Sequence, residues 1–138
     1  MKRNRIHILI FSLFFSTILH AQILNTEVKA KIELSYFEEM VSVTGTAENL
    51  DDGMKNLSYT LSVIKKNKQT TNTSNNSQNG EFTLNPNEKK ILSTTKINQS
   101  TKDEIIILLL IYDDNNVMVG KDRVIVEEKK REVLNKNE

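Results

Sequence analysis

The sequence predicts an all-β protein, and two features of its pattern lead to that prediction. Beyond residue 27, apolar residues recur with a period of two, which is the period of a strand buried on one face. Segments rich in Gly, Pro, Asn and Asp interrupt this pattern roughly every 8 to 16 residues, as turns between strands do. No segment shows a sustained helical period, so we expect the chain to fold as β-sheet.

The N-terminal segment has the pattern of an export signal. Lys2, Arg3 and Arg5 form a basic start, and residues 6–19 form an apolar stretch that is too short to span a bilayer as a helix. Ala21 is the small residue after which cleavage is expected. We therefore predict a signal peptide over residues 1–21 and localisation in the periplasm, with secretion as the alternative. Cleavage there leaves 117 of the 138 residues, enough for one domain with one core.

Three strands are predicted in the next part of the chain. Residues 28–34 alternate apolar and polar side chains. Residues 40–47 are rich in β-branched side chains, and residues 51–53 supply an Asp-Asp-Gly turn signal after them. Residues 57–63 show the cleanest alternation of the chain and form the third predicted strand.

The middle of the chain is polar. Residues 67–79 are almost wholly Asn, Gln, Ser, Thr and Lys, which suits a solvated edge strand or a long loop and supplies no core. Apolar character returns in a short strand over residues 80–84. The N-P-N-E segment around Pro86 predicts a turn before a strand over residues 89–98, and we expect these two strands to form a hairpin.

Two further strands are predicted near the C-terminus. Residues 105–112 are eight successive apolar residues, which fit a strand covered on both faces or a buried helix, and their length favours the strand. Residues 113–116 have the sequence Asp-Asp-Asn-Asn and predict a hairpin turn rather than a calcium loop. A strand over residues 117–127 follows, with a bulge or kink at Gly120.

These seven predicted strands fit a single immunoglobulin-like β-sandwich over residues 22–127. A small barrel is the alternative, and periodicity alone does not separate the two. Alternation places Leu61, Phe82 and Leu109 in the core. Residues 128–138 form a charged tail that we expect to be disordered.

The residue types that are missing exclude several kinds of function. Cys is absent, and both histidines, His7 and His20, lie in the leader. The mature chain therefore lacks the side chains of Ser-His-Asp and Cys-His catalysis, of imidazole or thiolate zinc sites and of disulfides. Removing the three basic residues of the leader from 19 Lys and Arg leaves 16 against 18 Asp and Glu, so the net charge is −2 and gives no basis for nucleic-acid binding. We expect no catalytic residues, no cofactor and no metal site, and hence no enzyme.

Three segments of the chain resemble the CsgH/CsgC curli chaperone family. They are Y-T-L-S-V at residues 59–63, S-N-N-S-Q-N-G-E-F at residues 74–82, and the apolar strand with its D-D-N-N turn. The Asn/Ser-rich segment is the most specific of them and is similar to the CsgH branch. The resemblance implies a periplasmic, immunoglobulin-like, non-enzymatic protein that keeps curli amyloid subunits from fibrillating before secretion. The Cys-x-Cys motif of the CsgC branch has no counterpart here, so no redox role is implied.

Two sets of residues are candidates for binding such a client. The first set is polar and consists of Ser74, Asn75, Asn76, Ser77 and Gln78. These side chains offer amide and hydroxyl groups to a Gln/Asn-rich amyloid subunit, although an all-polar edge is also how sheets avoid aggregation. The second set is basic and consists of Lys65, Lys66 and Lys68. Such a cluster would steer an acidic client, whereas most runs of this kind are simply solvent-facing.

The leading functional hypothesis is a periplasmic chaperone that inhibits premature fibrillation of curli-type subunits. The alternative is a structural or adhesive immunoglobulin-like module at the cell surface. For the chaperone we expect a monomer whose contact with subunits is transient. We expect it to bind neither nucleic acid nor, after cleavage of the leader, a membrane.

Overall fold

The computed structural model describes residues 24–100 and 102–126, which form seven β-strands. In chain order the strands are β1 (Val28–Phe37), β2 (Met40–Asn49), β3 (Lys55–Asn67), β4 (Thr73–Leu84), β5 (Lys89–Asn98), β6 (Asp103–Asp113) and β7 (Met118–Val126). This part of the chain contains no helix of the length and apolar character that a membrane span requires. The predicted signal peptide over residues 1–21 and the predicted tail over residues 128–138 lie outside the described residues.

The strands form two antiparallel sheets that pack face to face. One sheet has three strands in the order β1-β2-β5, and the other has four in the order β4-β3-β6-β7. The predicted all-β, immunoglobulin-like sandwich is confirmed. The fourth strand joins the four-stranded sheet, whereas in the constant-type immunoglobulin arrangement it lies in the sheet of the first two strands.

The predicted hairpin between residues 80–84 and 89–98 is wrong, because β4 and β5 belong to different sheets. The turn itself exists: the Glu88 N–H donates to the Asn85 carbonyl at 3.1 Å, and Asn87 has a φ of 58°. Pro followed by a residue of positive φ is the pattern of a type II turn. The chain then leaves the sheet, since Lys89 pairs with Glu48 of β2. The period of apolar residues does not show which strand the chain pairs with after a turn.

The polar segment over residues 67–79 resolves largely into strand. Residues 73–79 form the first part of β4, which lies at the edge of the four-stranded sheet and pairs with β3 alone. Of the two alternatives, the solvated edge strand is therefore the one observed. A strand can persist here without apolar side chains because the backbone pairing with β3 continues through it.

The predictions for the β6–β7 hairpin are confirmed. The Asp113 Oδ1 atom accepts hydrogen bonds from the N–H groups of Asn115 and Val117, both at 2.9 Å, so this carboxylate holds the turn. The β6–β7 register shifts between Ile111, which pairs with Gly120, and Tyr112, which pairs with Met118. The shift marks a bulge at Val119, next to the predicted position.

Alternate residues of β6 form the centre of the core. Ile105, Ile107, Leu109 and Ile111 are at most 1% exposed and face the three-stranded sheet. The remaining core residues are Val28, Ala30, Ile32, Val41, Val43, Ala47, Leu57, Leu61, Val63, Leu84 and Val126. Burial of Leu61 and Leu109 is thus confirmed.

Two expectations about burial are corrected. Phe82 is only half-buried, because it lies on the edge strand, where its ring meets Tyr59 edge-on with the ring centroids 6.0 Å apart. The apolar strand β6 is not covered on both faces. Ile106, Leu108 and Leu110 are half-buried on the outer face, and no other element of residues 24–100 or 102–126 packs over them.

One buried polar side chain joins three segments at one end of the sandwich. Asn49 is 0% exposed, and its Nδ2 donates to the carbonyls of Gly53 at 2.7 Å and Asn85 at 3.0 Å. Its Oδ1 accepts from the Asp51 N–H at 3.1 Å. Asn49 therefore ties the end of β2 to the β2–β3 loop and to the connection between the two sheets.

Replacing Leu109 by Ala should lower the free energy of unfolding by about 2–5 kcal/mol, because the lost transfer free energy and the new cavity add. Leu50→Ala is the matched control, since Leu50 is 45% exposed, and it should cost about 0.5 kcal/mol or less. Urea unfolding followed by circular dichroism measures both. Equal costs for the two variants would contradict the assigned core.

Replacing Asn49 by Ala should cost about 1–3 kcal/mol, because two backbone carbonyls and one N–H lose their partner in a poorly solvated site. Asn98→Ala, an exposed position on β5, should change stability by about 0.5 kcal/mol or less. The same unfolding experiment compares the two. A neutral Asn49→Ala would show that water replaces the side chain.

Candidate functional site

The predicted client-binding residues lie along the exposed first half of β4. Residues 73–77 are all exposed to solvent. One side of β4 pairs with β3, and its other side has no strand neighbour in the sheet. The structure therefore places Ser74, Asn75, Asn76, Ser77 and Gln78 on one continuous strand at the edge of the four-stranded sheet. We call residues 73–81 the β4 edge.

The register divides these polar residues between two faces. Ser74, Asn76 and Gln78 lie on the face turned towards the other sheet, since Gln78 pairs with the buried Leu61 and alternate residues share a face. Gln78 is the only one of the three that is half-buried. The Oε1 atom of Gln78 accepts a hydrogen bond from the Ser93 hydroxyl on β5. This residue therefore links the two sheets, and Ser74 and Asn76 continue the same row into solvent.

A second row of polar side chains lies on the outer face. Asn75 and Ser77 belong to it, and Asn79 continues it. The Ser77 hydroxyl lies 2.9 Å from that of Ser62 on β3 and donates to the Asn75 Oδ1 at 3.3 Å. Two hydroxyl groups thus bond across neighbouring strands, and a hydroxyl and an amide oxygen bond along β4.

The three lysines do not form one basic patch. Lys65 and Lys66 are neighbours on a strand and so point to opposite faces. The Nζ atom of Lys65 lies 2.8 Å from a carboxylate oxygen of Asp103, a side chain that is only 9% exposed. Lys66 stands opposite Glu104 in the β3–β6 register, and Lys68 lies in the following loop. An acidic side chain therefore accompanies each of the two strand lysines.

Sequence reasoning missed the packing of Tyr59 against Gly80. The two residues pair across β3 and β4, and a Cβ atom on Gly80 would lie 3.0 Å from the Tyr59 ring. The Tyr59 hydroxyl donates to the Leu92 carbonyl of β5 at 3.0 Å. In the sequence, the glycine inside a predicted strand is the one signal that a neighbouring side chain could pack closely against the backbone there. Nothing in the sequence signals the contacts with Leu92 or Ser93.

Surface ion pairs lower the pKa of two carboxyl groups, and a backbone hydrogen bond from Asn85 lowers the pKa of Glu88. The hydrogen bond from Lys89 lowers the pKa of Glu33, and the hydrogen bond from Lys55 lowers the pKa of Asp51. A carboxyl group that acts as a general acid needs a raised pKa, which is the opposite direction. Within residues 24–100 and 102–126, no three acidic side chains come close enough together to hold a metal ion.

The fold is similar to that of two small solved proteins. The E. coli curli protein CsgC aligns with a TM-score of 0.56 and 11% identity, over 70% of this chain and 96% of CsgC. R. palustris CsgH aligns with a TM-score of 0.50 and 21% identity, over 68% of this chain and 89% of CsgH. This chain therefore has the CsgC/CsgH fold, as the resemblance of its sequence implies.

The fold is also similar to a small part of a large enzyme. Bacteroides uniformis β-glucuronidase 2 aligns with a TM-score of 0.50 and 8% identity over 72% of this chain, but over only 14% of the enzyme. No protein-family model matches the sequence, and no curated protein matches it either.

Replacing Tyr59 by Phe should lower the free energy of unfolding by about 1 kcal/mol, because the half-buried Leu92 carbonyl loses its donor. Tyr112→Phe is the matched control on the outer face of the same sheet and should cost about 0.5 kcal/mol or less. Thermal unfolding compares the two variants. An equal effect would mean that the Tyr59 hydroxyl does not help to join the sheets on this side.

Proposed function

We propose that the protein is a periplasmic chaperone that delays fibrillation of curli-type amyloid subunits during their secretion. The observation that carries this proposal is the fold, which matches 96% of the curli protein CsgC and 89% of CsgH. The match covers nearly all of each curli protein, in contrast to 14% of the β-glucuronidase. The resemblance of residues 74–82 to the curli chaperone family supports it further, since this segment forms most of the β4 edge.

Client recognition in this proposal uses the polar side chains of the β4 edge. Amyloid strands stack identical segments, and ladders of Asn and Gln amides bond along the stack. Ser74, Asn75, Asn76, Ser77 and Gln78 carry groups of the same chemistry on an exposed strand. Contact through such groups is weak and reversible, because each exchanges bonds to water for bonds to protein. The protein would therefore act on rare nuclei or growing ends and need not sequester every subunit.

The lysines add a weaker electrostatic component. Lys66 and Lys68 are exposed and would attract an acidic client over a distance that salt screens. Lys65 contributes less net charge, because Asp103 neutralises it at close range. The leader with its basic start and apolar stretch supports a periplasmic location. In this proposal the protein acts as a monomer and catalyses no reaction.

At well below equimolar ratio, the protein should prolong the lag before a curli subunit fibrillates. Thioflavin fluorescence against time, with the subunit encoded nearest to this gene, measures the lag, and an unrelated β-sandwich is the control. Raising salt and the variant Lys66→Ala/Lys68→Ala should both reduce the effect, since both weaken steering.

An unchanged lag at equimolar ratio would contradict the chaperone proposal and favour the structural or adhesive module. Full potency of the double lysine variant would remove only the electrostatic component. Lys65→Ala serves as the internal comparison, because loss of the Asp103 ion pair should affect stability before potency.

A further inference from the structure

A two-layer sandwich exposes four strand edges, and in this protein they are treated differently. The edges belong to β1 and β5 in one sheet and to β4 and β7 in the other. An unguarded edge offers unpaired N–H and C=O groups to any other strand, so proteins block edges with charges, bulges or covering segments. An edge without such protection remains able to pair with a strand of another protein.

Side chains close the edges of β1 and β7. The Ile32 N–H of β1 donates to the Asp122 Oδ2 of β7 at 2.7 Å. The Asn25 Oδ1 accepts from the N–H groups of Ala30 and Lys121, both at 3.1 Å, and its Nδ2 donates to the Lys121 carbonyl at 2.8 Å. The N–H groups of Ala30 and Ile32 and both backbone groups of Lys121 are therefore already bonded, which blocks the central part of these two edges.

The β5 edge is guarded by charge and irregularity. Lys89, Lys90 and Lys96 lie on this strand, and lysines on an edge disfavour the approach of another strand. The β2–β5 register also shifts between Gly45 and Thr46, so the strand is not a regular template.

The β4 edge has none of these devices over residues 73–80, and its one charged residue, Glu81, is the last. The segment over residues 73–80 contains no charged residue and no Pro, and the β3–β4 register runs from Lys55–Leu84 to Lys66–Thr73 without a shift. Its residues are exposed except for the half-buried Gln78 and Gly80. The edge is thus long, regular and open, although its side chains are polar.

Hydrogen-bond alternation shows which backbone groups face outwards. The Asp113 N–H donates to the Val117 carbonyl, so the backbone of Asp113 is turned towards β7 and away from its β3 partner Leu57. In an antiparallel sheet, a residue not bonded to one neighbour is turned to the other. Leu57 is therefore bonded to β4, where its partner is Phe82. Every second residue of β4 counted from Phe82 then bonds to β3, and the residues between them face outwards.

A contact at the end of the strand agrees with this assignment. The Thr83 carbonyl, which should face outwards, accepts a hydrogen bond from the Nζ of Lys90 on β5 at 2.6 Å. The other outward-facing residues are Thr73, Asn75, Ser77, Asn79 and Glu81. They span about 27 Å at roughly 3.4 Å per residue, the length of an ordinary strand.

We propose that the β4 edge binds its client by backbone pairing, as an added strand of the four-stranded sheet. This inference rests on the proposed function and specifies the occupant: an extended, Asn/Gln/Ser/Thr-rich strand at the end of a curli-type fibril. Asn75, Ser77 and Asn79 supply the polar row that such a strand would continue. The bond between Ser77 and Ser62 is an example of that side-chain stacking within the protein itself.

Pairing on this edge would also stop growth. A fibril end that adds β4 continues into β3, β6 and β7. At the far edge, Asn25 bonds both backbone groups of Lys121 on β7, and the Asp122 side chain bonds the Ile32 N–H of β1. A further subunit would have to displace these bonds to extend the sheet from β7. One molecule for each fibril end would then suffice, as the predicted action below equimolar ratio requires.

The test removes outward N–H groups without disturbing the β3–β4 ladder. Proline lacks an N–H and is tolerated on an edge strand where that group faces solvent. The variant Ser77→Ala/Asn79→Ala removes two side chains of the polar row but keeps both N–H groups, so its loss of potency measures the side chains alone. The variant Ser77→Pro/Asn79→Pro removes the N–H groups as well and should need a concentration about tenfold higher than the alanine variant for the same lag, because two further hydrogen bonds to the client are lost. Equal melting temperatures show that both variants are folded.

Amide hydrogen exchange on the full wild-type chain provides a measurement that does not depend on the variants. The probe is a purified curli subunit, and a synthetic 12-residue peptide of alternating Asn, Ser, Gln and Thr is used in parallel. The amides of Asn75, Ser77 and Asn79 should exchange more slowly with either probe, whereas those of Asn76 and Gln78 should not change.

The outcomes separate the two proposals. Unchanged exchange of the outward amides, or a folded proline variant as potent as the alanine variant, overturns edge pairing and leaves the chaperone function standing. An unaffected lag together with slowed exchange overturns the chaperone function and keeps edge pairing. Slow exchange in the protein alone, with a doubled mass in light scattering, would make a second copy the occupant and overturn the assignment to a client.

Discussion

The packing of alternate β6 side chains against the three-stranded sheet is the interaction on which the rest of the structure depends. Ile107 and Leu109 are completely buried, and the chain contains no Cys, so no disulfide can substitute for this packing. Gly45 of β2 packs against it, and a Cβ atom there would lie in ordinary van der Waals contact with the Leu109 side chain, at 3.6 Å. Because β6 lies between β3 and β7, its position in the core also sets β4 at the edge.

The two sides of the sandwich differ in a way that bears on function. On the β1–β7 side, Asn25 and Asp122 bond the backbone of one sheet to the other. On the β4–β5 side, the links are made by the side chains of Tyr59 and Gln78, which reach β5 and leave the outward backbone of β4 unbonded over residues 73–81. A polar, regular edge of this kind stays soluble because its side chains are hydrated, yet it retains the capacity to pair. The proposal that β4 pairs with a client strand follows from this asymmetry.

Much of the local structure could be predicted, because alternation reports burial directly. The strands over residues 28–34 and 57–63 and the turn over residues 113–116 were predictable for this reason. The assignment of β4 and β5 to one hairpin was wrong, since a tight turn looks the same whether it joins neighbours or crosses between sheets. The prediction that β6 is buried on both faces was also wrong. A run of apolar residues shows that both faces of the strand are apolar, but it does not show whether another element packs over each face.

By itself, the sequence determined an all-β chain with an apolar central strand, a polar stretch in the middle, and no Cys or His beyond residue 20. It also contained the polar segment over residues 74–82 that resembles the curli chaperone family. Only the tertiary structure decided that this segment lies at an open edge of the two described sheets, that Lys65 is paired with Asp103, and which amides of β4 face outwards. The physical reason is that hydrogen-bond direction and edge position depend on strands distant in sequence, whereas side-chain periodicity depends only on near neighbours.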